Sequence, residues 1–181
     1  DTLGGRGFRI RLARDGEELT TLDGEVRRFT SDDLFICDAN DVPIGVGGIM
    51  GGLETEISNS TTTVALEMAW FSLVGIGQSV TRTNLRSEAS ARFERGVDPY
   101  GMPLAIARFV ELLSETCPEL VVHAGAVDAR STSLPVEQRS VTVRISSVNR
   151  ILGTDLAADD LPGLLDPIGY TVSGSGDTRD V

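Results

Sequence analysis

The 181 residues are enough for one domain of ordinary size and part of another. The chain has 27 acidic and 16 basic residues, a formal charge of −11, and every basic residue is arginine. A domain that wraps nucleic acid depends on Lys and Arg to displace counterions from phosphates. This composition therefore excludes a broad nucleic-acid surface and leaves room only for a local RNA contact.

No apolar run approaches the roughly 20 residues that cross a bilayer, so the sequence predicts no membrane association. The first residue is Asp1 rather than Met, and no apolar stretch of a secretory signal follows it. We therefore expect a cytoplasmic chain that is cut from a longer protein.

Cys37 and Cys117 are the only cysteines, too few for a disulfide framework or a zinc cage. They are predicted to be two buried thiols in a reducing compartment. His123 is the only histidine, which excludes a multi-histidine metal site within the chain. A Ser-His-Asp triad would have to use this histidine, but no G-x-S-x-G motif accompanies it.

The first seventy residues are predicted to be mostly β. Residues 8–12 alternate apolar and basic side chains, the period of a half-buried strand. Asp23-Gly24 marks a turn between two short runs, and residues 34–37 and 42–46 indicate a second hairpin. A further strand is predicted at 64–68.

The middle of the chain is predicted to be helical. Ser87 precedes a helix that extends to Arg95 and ends at Gly96. Asp98-Pro99 has the pattern of a cap followed by a first-turn proline, and it predicts a second helix that reaches Cys117. Residues 120–127 then return to an apolar pattern, which predicts a strand.

Residues 129–139 are polar, and we place a domain junction there. The region beyond it is predicted to contain, in order, a strand at 141–143, a helix at 146–152 closed by Gly153, a helical stretch at 156–168 and a strand at 170–172. A proline inside a helix costs about 3 kcal/mol. Because Pro162 and Pro167 interrupt the helical stretch, we expect that helix to be short or broken.

Residues 45–52 are rich in glycine. They do not fit the dinucleotide pattern G-x-G-x-x-G, and a phosphate loop would need a lysine that the chain lacks. Two explanations remain for glycines that lack a Cβ. They either allow tight packing or form a pocket floor whose backbone N–H groups face a ligand.

Glu67 is one acid in an otherwise apolar run. It lies either on the solvent face of a strand or buried with a partner. Beside a glycine-walled pocket, its carboxylate is able to accept a hydrogen bond from a phenol or an amine. Residues 86–99 form the densest polar segment, which pattern alone explains as a solvated helix with ion pairs.

Three segments, in this order, resemble the β chain of bacterial phenylalanyl-tRNA synthetase: Gly47-Gly48-Ile49-Met50-Gly51-Gly52, Leu66-Glu67-Met68-Ala69-Trp70-Phe71, and Ser87-Glu88-Ala89-Ser90 running into Arg92-Phe93-Glu94-Arg95-Gly96-Val97-Asp98-Pro99. The resemblance implies that residues 1–130 are a B3/B4 domain without its N-terminal part. It also implies that residues 139–181 begin an incomplete B5 domain. The expected fold class is mixed α/β (α+β). In it, a three-layer domain with a β-sandwich-like core flanked by helices precedes a partial small α+β domain.

The family resembled is an α2β2 heterotetramer that joins phenylalanine to its tRNA with ATP and Mg²⁺. Its aminoacylation site belongs to the α chain, so the resemblance implies no cofactor in this fragment. The B3/B4 domain removes tyrosine that is wrongly attached to tRNA(Phe), which implies that the tRNA 3′ end is the partner. The alternative left open is a scaffold of the same synthetase that contacts RNA without editing.

By position, the resemblance assigns Glu67 to recognition of the tyrosyl hydroxyl and Gly48 and Gly51 to the wall beside the ring. Ser87 matches a position that is usually Thr, and Ala89 matches a small residue that keeps the pocket open. These are binding residues. The family relies on a positioned water and the terminal ribose of the tRNA, so no side chain is assigned as catalytic and none as a metal ligand.

Besides Ser87, the sequence departs from the family pattern in two further places before the junction. A histidine-containing segment of the family's pocket would end near Asp1, so we expect an incomplete pocket. Residues 77–81 lack the arginines that many family members have there, which places an RNA contact at that position in doubt.

Overall fold

A computed structural model describes residues 3–135 and 139–181 of the chain. Two compact units are present, Asp1–Ala129 and Arg130–Val181. Both combine helices with antiparallel sheets, so the predicted mixed α+β class is confirmed. Residues 136–138 of the predicted junction lie outside the described residues, and so does Asp1. Across the described ranges, every helix is too short or too polar to cross a membrane.

The first unit contains a four-stranded antiparallel sheet in the order β1-β4-β5-β6, a two-stranded sheet β2-β3, and three helices. The strands are β1 (Phe8–Leu12), β2 (Glu18–Thr20), β3 (Val26–Arg28), β4 (Leu34–Asp38), β5 (Pro43–Val46) and β6 (Met50–Gly51). The helices are α1 (Leu73–Thr83), α2 (Glu88–Phe93) and α3 (Met102–Thr116), and a 3₁₀ turn spans Leu53–Thr55.

The strand predicted at 8–12 and the hairpin predicted at 34–46 are present. The expected burial of the apolar face of the first strand is wrong, because Phe8, Ile10 and Leu12 are each more than half exposed. In the antiparallel pair of β1 and β4, Ile10 lies opposite Ile36. Asp38 holds the hairpin turn, because one carboxylate oxygen accepts the backbone N–H groups of Asn40 and Val42, each at 2.9 Å. A single side chain thus replaces backbone partners that the turn would otherwise leave without hydrogen bonds.

The core of the first unit contains side chains from the sheet, the glycine-rich loop and α1. Phe29 and Phe35 are fully buried and meet edge to face, with ring centroids 4.9 Å apart. Phe71 makes the same contact with Phe93 of α2, also at 4.9 Å. Each such ring contributes about 1.5 to 3 kcal/mol through burial. The Phe71–Phe93 pair connects the extended chain before α1 to α2.

Helix α1 was not among the predicted elements. Its sequence contains Gly75 and Gly77 as well as β-branched residues, which lowers its intrinsic helix propensity. Tertiary contacts stabilise it: Ser79 Oγ and Arg82 Nη2 donate to Asp33 Oδ1 at 2.6 and 2.5 Å. Burial alone would raise the pKa of Asp33. The hydrogen bonds from Arg82, Ser79 and a backbone N–H outweigh it and hold that pKa below the ordinary value.

Two strand predictions are wrong. Residues 64–68 and 120–127 form no strand, and most of their apolar side chains are exposed, with Val127 fully so. Alternating apolar residues make a strand only when a neighbouring strand pairs with their backbone N–H and C=O groups. Within the described residues, neither segment has such a neighbour.

Helix α3 is present, but the prediction that it opens at Asp98-Pro99 is wrong. It begins at Met102, and Asp98 instead accepts the N–H of Tyr100 at 2.9 Å in the turn before it. None of its residues is buried, and Leu104 is 77% exposed. Cys117, which follows the helix, is also exposed, so the prediction of two buried thiols holds only for Cys37.

The second unit pairs two short antiparallel strands and carries short helices. Its elements are β7 (Thr142–Arg144), α4 (Ile145–Leu152), α5 (Leu161–Leu165), β8 (Thr178–Asp180), and 3₁₀ turns at Ala158–Asp160 and Asp166–Ile168. The predicted helix closed by Gly153 is confirmed, since this glycine adopts a left-handed φ of 69°. The prolines shorten α5 as expected.

The strand predicted at 170–172 is wrong. The partner of β7 is β8, which follows eight residues after Tyr170, and Tyr170 itself is 55% exposed. Gly174 and Gly176 of the intervening loop both have positive φ, which turns the chain before β8.

Candidate functional site

A concave pocket of about 580 Å³ opens in the first unit. Its walls come from β5, β6, residues 67–69, α2 and the beginning of α3. Most lining side chains are apolar: Ile36, Ile44, Val46, Ile49, Met50, Met68, Phe93, Val97 and Met102. Among the described lining residues, Glu67 and Asp98 carry the only ionisable side chains, and both are acids. The pocket thus suits a ligand with a large apolar body and a polar group that meets a carboxylate.

Glu67 places its carboxyl in this apolar setting. Protein atoms crowd around the group, and this burial raises the pKa of Glu67 above its ordinary value. Water still reaches the side chain through the pocket mouth, because the residue lines a concave surface rather than the core. Within residues 3–135, the carboxyl has no hydrogen bond and no ion pair. Glu67 is therefore neither on the solvent face of a strand nor buried with a partner, the two explanations that the sequence left open. Its carboxyl is available to a ligand.

The glycine-rich segment packs tightly, as one of the two explanations from the sequence has it, and it also lines the pocket. That its backbone N–H groups face a ligand stays a prediction. Gly48 lines the pocket with a φ of +69°, and a Cβ there would lie 2.7 Å from Phe71 and 2.8 Å from Ile76. Gly51 lies opposite Gly45 across β5 and β6, and a Cβ on Gly51 would approach Leu22 to 3.3 Å. The glycines therefore form the pocket wall on one side and allow close core packing on the other.

Ser87 joins the glycine-rich loop to α2. Its hydroxyl donates to the carbonyl of Ile49 at 2.5 Å and accepts the N–H of Ser90 at 3.0 Å. Ser90 Oγ in turn accepts the N–H of Ser87 at 2.9 Å, which completes a capping box. Ser87 does not line the pocket. The structure shows a residue that positions the wall, and its predicted contact with a ligand stays a prediction.

Ala89 lines the pocket from the first turn of α2. Phe93 lies four residues later on the same helix face and also lines it. The small side chain at position 89 leaves the space in front of the Phe93 ring open. Four predicted site residues, namely Gly48, Gly51, Glu67 and Ala89, therefore meet at one pocket.

A model of the B3/4 domain family matches residues 1–118. The chain belongs to the B3/4 domain family.

Curated relatives extend the match over most of the chain, and each is named the beta subunit of phenylalanine–tRNA ligase. The protein of Streptococcus pneumoniae serotype 4 is 38% identical over 98% of this chain and 22% of its own length. The protein of Halalkalibacterium halodurans is 35% identical over 100% of this chain and 22% of its own length. The protein of Thermosynechococcus vestitus is 41% identical over 87% of this chain and 19% of its own length. The resemblance to the β chain is confirmed. The chain spans about a fifth of the length of these relatives, and the B5 assignment of residues 139–181 stays a prediction.

The B3/4 domain also has lining residues that the sequence did not predict as part of a site. Asp98 and Met102 reach the pocket from the turn before α3 and from its first residue. Met68 lines it next to Glu67. The polar segment 86–99 was a signal for Asp98, but a helix cap explained that residue equally well. Nothing in the sequence distinguished Met102 as a site residue.

The described lining contains no Ser, Thr, Cys, His, Lys or Tyr side chain. The pocket therefore offers carboxylate acceptors and apolar walls, but its described lining has no hydroxyl, thiol, imidazole or amine side chain that could act as a nucleophile. In the same described ranges, no group of three His, Cys, Asp or Glu residues is close enough to hold a metal ion. His123 lies in an exposed segment that does not line the pocket. This chemistry suits recognition of a ligand whose reaction uses water.

Proposed function

We propose that this B3/4 domain hydrolyses tyrosine misattached to tRNA(Phe). The observation that carries the proposal is the carboxyl of Glu67, which stands without a described partner in an apolar, glycine-walled pocket. The name printed for the relatives, phenylalanine–tRNA ligase beta subunit, supports tRNA(Phe) as the carrier of the amino acid.

Recognition of tyrosine follows from a difference of one hydroxyl. The apolar walls accept the aromatic ring of either amino acid. Only the tyrosyl phenol donates a hydrogen bond to Glu67, and a phenylalanyl ring leaves this carboxylate unpaired in a crowded site. A site that hydrogen-bonds a substrate hydroxyl rejects the analogue without it far more strongly than an apolar pocket rejects an extra methylene.

The reaction is cleavage of an ester by water. The water oxygen attacks the tyrosyl carbonyl carbon, the bond from that carbon to the ribose oxygen breaks, and a proton passes to that oxygen. Tyrosine and tRNA with a free terminal ribose are released. Because the described lining supplies no hydroxyl, thiol, imidazole or amine nucleophile, we assign to Glu67, Gly48 and Gly51 the orientation of the amino acid and to water the attack.

We further propose that the chain acts within a cytoplasmic α2β2 phenylalanine–tRNA ligase. The relatives are named beta subunits, which supports an α chain as partner. Aminoacylation, with its ATP and Mg²⁺, then takes place on the α chain, and this domain contributes the editing step.

The test uses the α2β2 enzyme that carries this β chain and measures deacylation of tyrosyl-tRNA(Phe) and phenylalanyl-tRNA(Phe). We expect the wild type to prefer the tyrosyl ester. Glu67→Ala should lower that preference about 30- to 160-fold, because a hydrogen bond to a charged group contributes about 2 to 3 kcal/mol. Glu111→Ala on α3 is the matched control, since this exposed carboxyl lies outside the pocket.

Two results would contradict the proposal. Wild-type deacylation no faster than the uncatalysed rate would leave the domain as a scaffold of the synthetase. An unchanged preference for the tyrosyl ester in Glu67→Ala would remove Glu67 from recognition. Aminoacylation by both variants shows that the assembled enzyme is intact.

A further inference from the structure

A second concave surface lies beside the pocket. This arginine groove, of about 510 Å³, is lined by Glu88, Ala91, Arg92, Arg95, Gly96 and Val97. Val97 also lines the pocket of Glu67. Ala89 lines that pocket, and Arg92 follows it by three residues, which is about 5 Å along the axis of α2. A ligand that fills the pocket and continues past Val97 therefore enters the arginine groove.

The two arginines of the groove use only part of their hydrogen-bonding capacity. Arg92 donates through Nη1 to the carbonyl of Glu88 at 2.6 Å and to its carboxylate at 3.0 Å. Arg95 donates through Nη1 to the carbonyl of Ala91, and the same nitrogen lies 3.6 Å from Glu94. Within the described residues, Nη2 and Nε of both side chains have no contact. Each guanidinium thus presents an open edge of N–H donors.

These side chains are also exposed, which keeps them available. The side chains of Arg92 and Arg95 are 67% and 69% exposed. The partner of Arg92 is a carboxylate that is 91% exposed, and such a surface pair contributes at most about 1 kcal/mol. An anionic ligand competes readily with it. In a chain of net charge −11, residues 86–97 carry three arginines against two glutamates.

We propose that the arginine groove binds backbone phosphates of the RNA strand whose 3′ end delivers the aminoacyl ester to the pocket. The inference rests on the proposed function and adds the residues that hold the strand. The open edge of a guanidinium matches two phosphate oxygens, which a lysine ammonium does not. Two such contacts give a local RNA site and require no broad basic surface.

The test measures deacylation of tyrosyl-tRNA(Phe) by the α2β2 enzyme over a series of salt concentrations. The variants are Arg92→Ala, Arg95→Ala and the double substitution. We expect the double variant to raise KM about tenfold. It should also make the slope of log(kcat/KM) against log[salt] less steep by about 1.4, because each single-strand phosphate contributes about 0.7. The preference for tyrosyl over phenylalanyl ester should not change.

Arg108→Ala is the matched control. Arg108 pairs with Glu111 on the surface of α3 and lies outside the groove. Its loss should leave both KM and the salt slope as in the wild type. A second control replaces the tRNA by tyrosyl-adenosine, which has the ester and ribose but no phosphate. On this substrate the double variant should equal the wild type.

The inference is overturned if the double variant keeps the wild-type KM and salt slope on tyrosyl-tRNA. It is also overturned if the double substitution lowers kcat/KM for tyrosyl-adenosine as much as it does for tyrosyl-tRNA, since the arginines would then act on the pocket and not on a phosphate. A photoreactive group at the 3′ end of uncharged tRNA separates this inference from the proposed function. Loss of the crosslink to this unit in the double variant supports the groove even in an enzyme that does not deacylate.

Discussion

The hydroxyl of Ser87 donates to the carbonyl of Ile49 at 2.5 Å, across 38 positions of the sequence. One hydrogen bond thereby fixes the first turn of α2 against the glycine-rich loop. Both parts line the pocket, Ala89 from the helix and Gly48 from the loop. The width of the pocket at this point is set by a residue that does not itself line it.

Ser87→Ala should lower the free energy of unfolding of the first unit by about 1 to 2 kcal/mol. The change removes the helix cap and leaves the carbonyl of Ile49 without its side-chain donor. Urea unfolding followed by the fluorescence of Trp70, the only tryptophan, reports on this unit. Ser87→Thr keeps the hydroxyl and should remain within about 0.5 kcal/mol of the wild type. Equal losses in both variants would contradict a role for the hydroxyl.

Gly48→Ala should destabilise the first unit by about 2 to 4 kcal/mol. A methyl group at this φ of +69° is strained, and it lies under 3 Å from Phe71 and Ile76, which are both buried. The matched control is Gly77→Ala in α1, where a Cβ meets nothing within 4 Å. That change should be neutral or stabilise by up to about 1 kcal/mol. Similar effects of both substitutions on urea unfolding would refute the close-packing argument.

Arg82→Ala should lower the free energy of unfolding of the first unit by about 3 kcal/mol, because it leaves the fully buried carboxylate of Asp33 without its ion pair. Arg108→Ala, which breaks an exposed pair, should cost less than about 0.5 kcal/mol. Urea unfolding at pH 7 compares the two variants. A cost for Arg82→Ala no larger than that for Arg108→Ala would show that Ser79 and the backbone alone stabilise the carboxylate.

The ion pair of Arg82 and Asp33 also predicts that the folded protein loses stability in acid. The pKa of Asp33 is lower in the folded protein than its ordinary value of 3.8, so the unfolded state binds the proton more tightly. The stabilisation that ionised Asp33 contributes is complete above pH 3.8. It is lost as the pH falls from 3.8 through the lowered pKa of the folded state. The difference between wild type and Arg82→Ala should therefore shrink in this range, as measured by urea unfolding at pH 7 and near pH 3.

Glu67→Gln should stabilise the first unit at pH 7. The pKa of Glu67 is raised above its ordinary value of 4.5, so the folded state binds the proton more tightly than the unfolded state. The stabilisation from this group is present below pH 4.5 and is lost as the pH rises through the raised pKa. Glutamine does not ionise and avoids that loss. The free energy of unfolding of the variant should therefore exceed that of the wild type at pH 7 and equal it near pH 4. The matched control is Glu56→Gln, which makes the same change outside the pocket lining and should alter the free energy of unfolding at pH 7 by less than about 0.5 kcal/mol.

Local sequence signals predicted much of the fold because the signal and the structure involve neighbouring residues. The position of the 8–12 strand follows from alternation, although not the burial of its apolar residues, and the end of α4 follows from a glycine in a left-handed conformation. Helix α1 was not predicted, because its stability depends on Asp33, which lies 46 positions before Ser79. The strands expected at 64–68 and 120–127 are not formed, because a strand needs a neighbouring strand for its backbone hydrogen bonds and the local sequence does not record whether one is present.

The sequence by itself determined the acidic balance, the absence of lysine, the glycine-rich wall and the family motifs that pointed to Glu67. Only the tertiary structure decided which of these residues meet. It brings Glu67, Gly48, Gly51 and Ala89 to one pocket, gives Ser87 a positioning role, and adds Asp98 and Met102 to the lining. The physical reason is that burial, hydrogen-bond partners and pKa depend on atoms brought together from distant positions, which periodicity and spacing along the chain do not record.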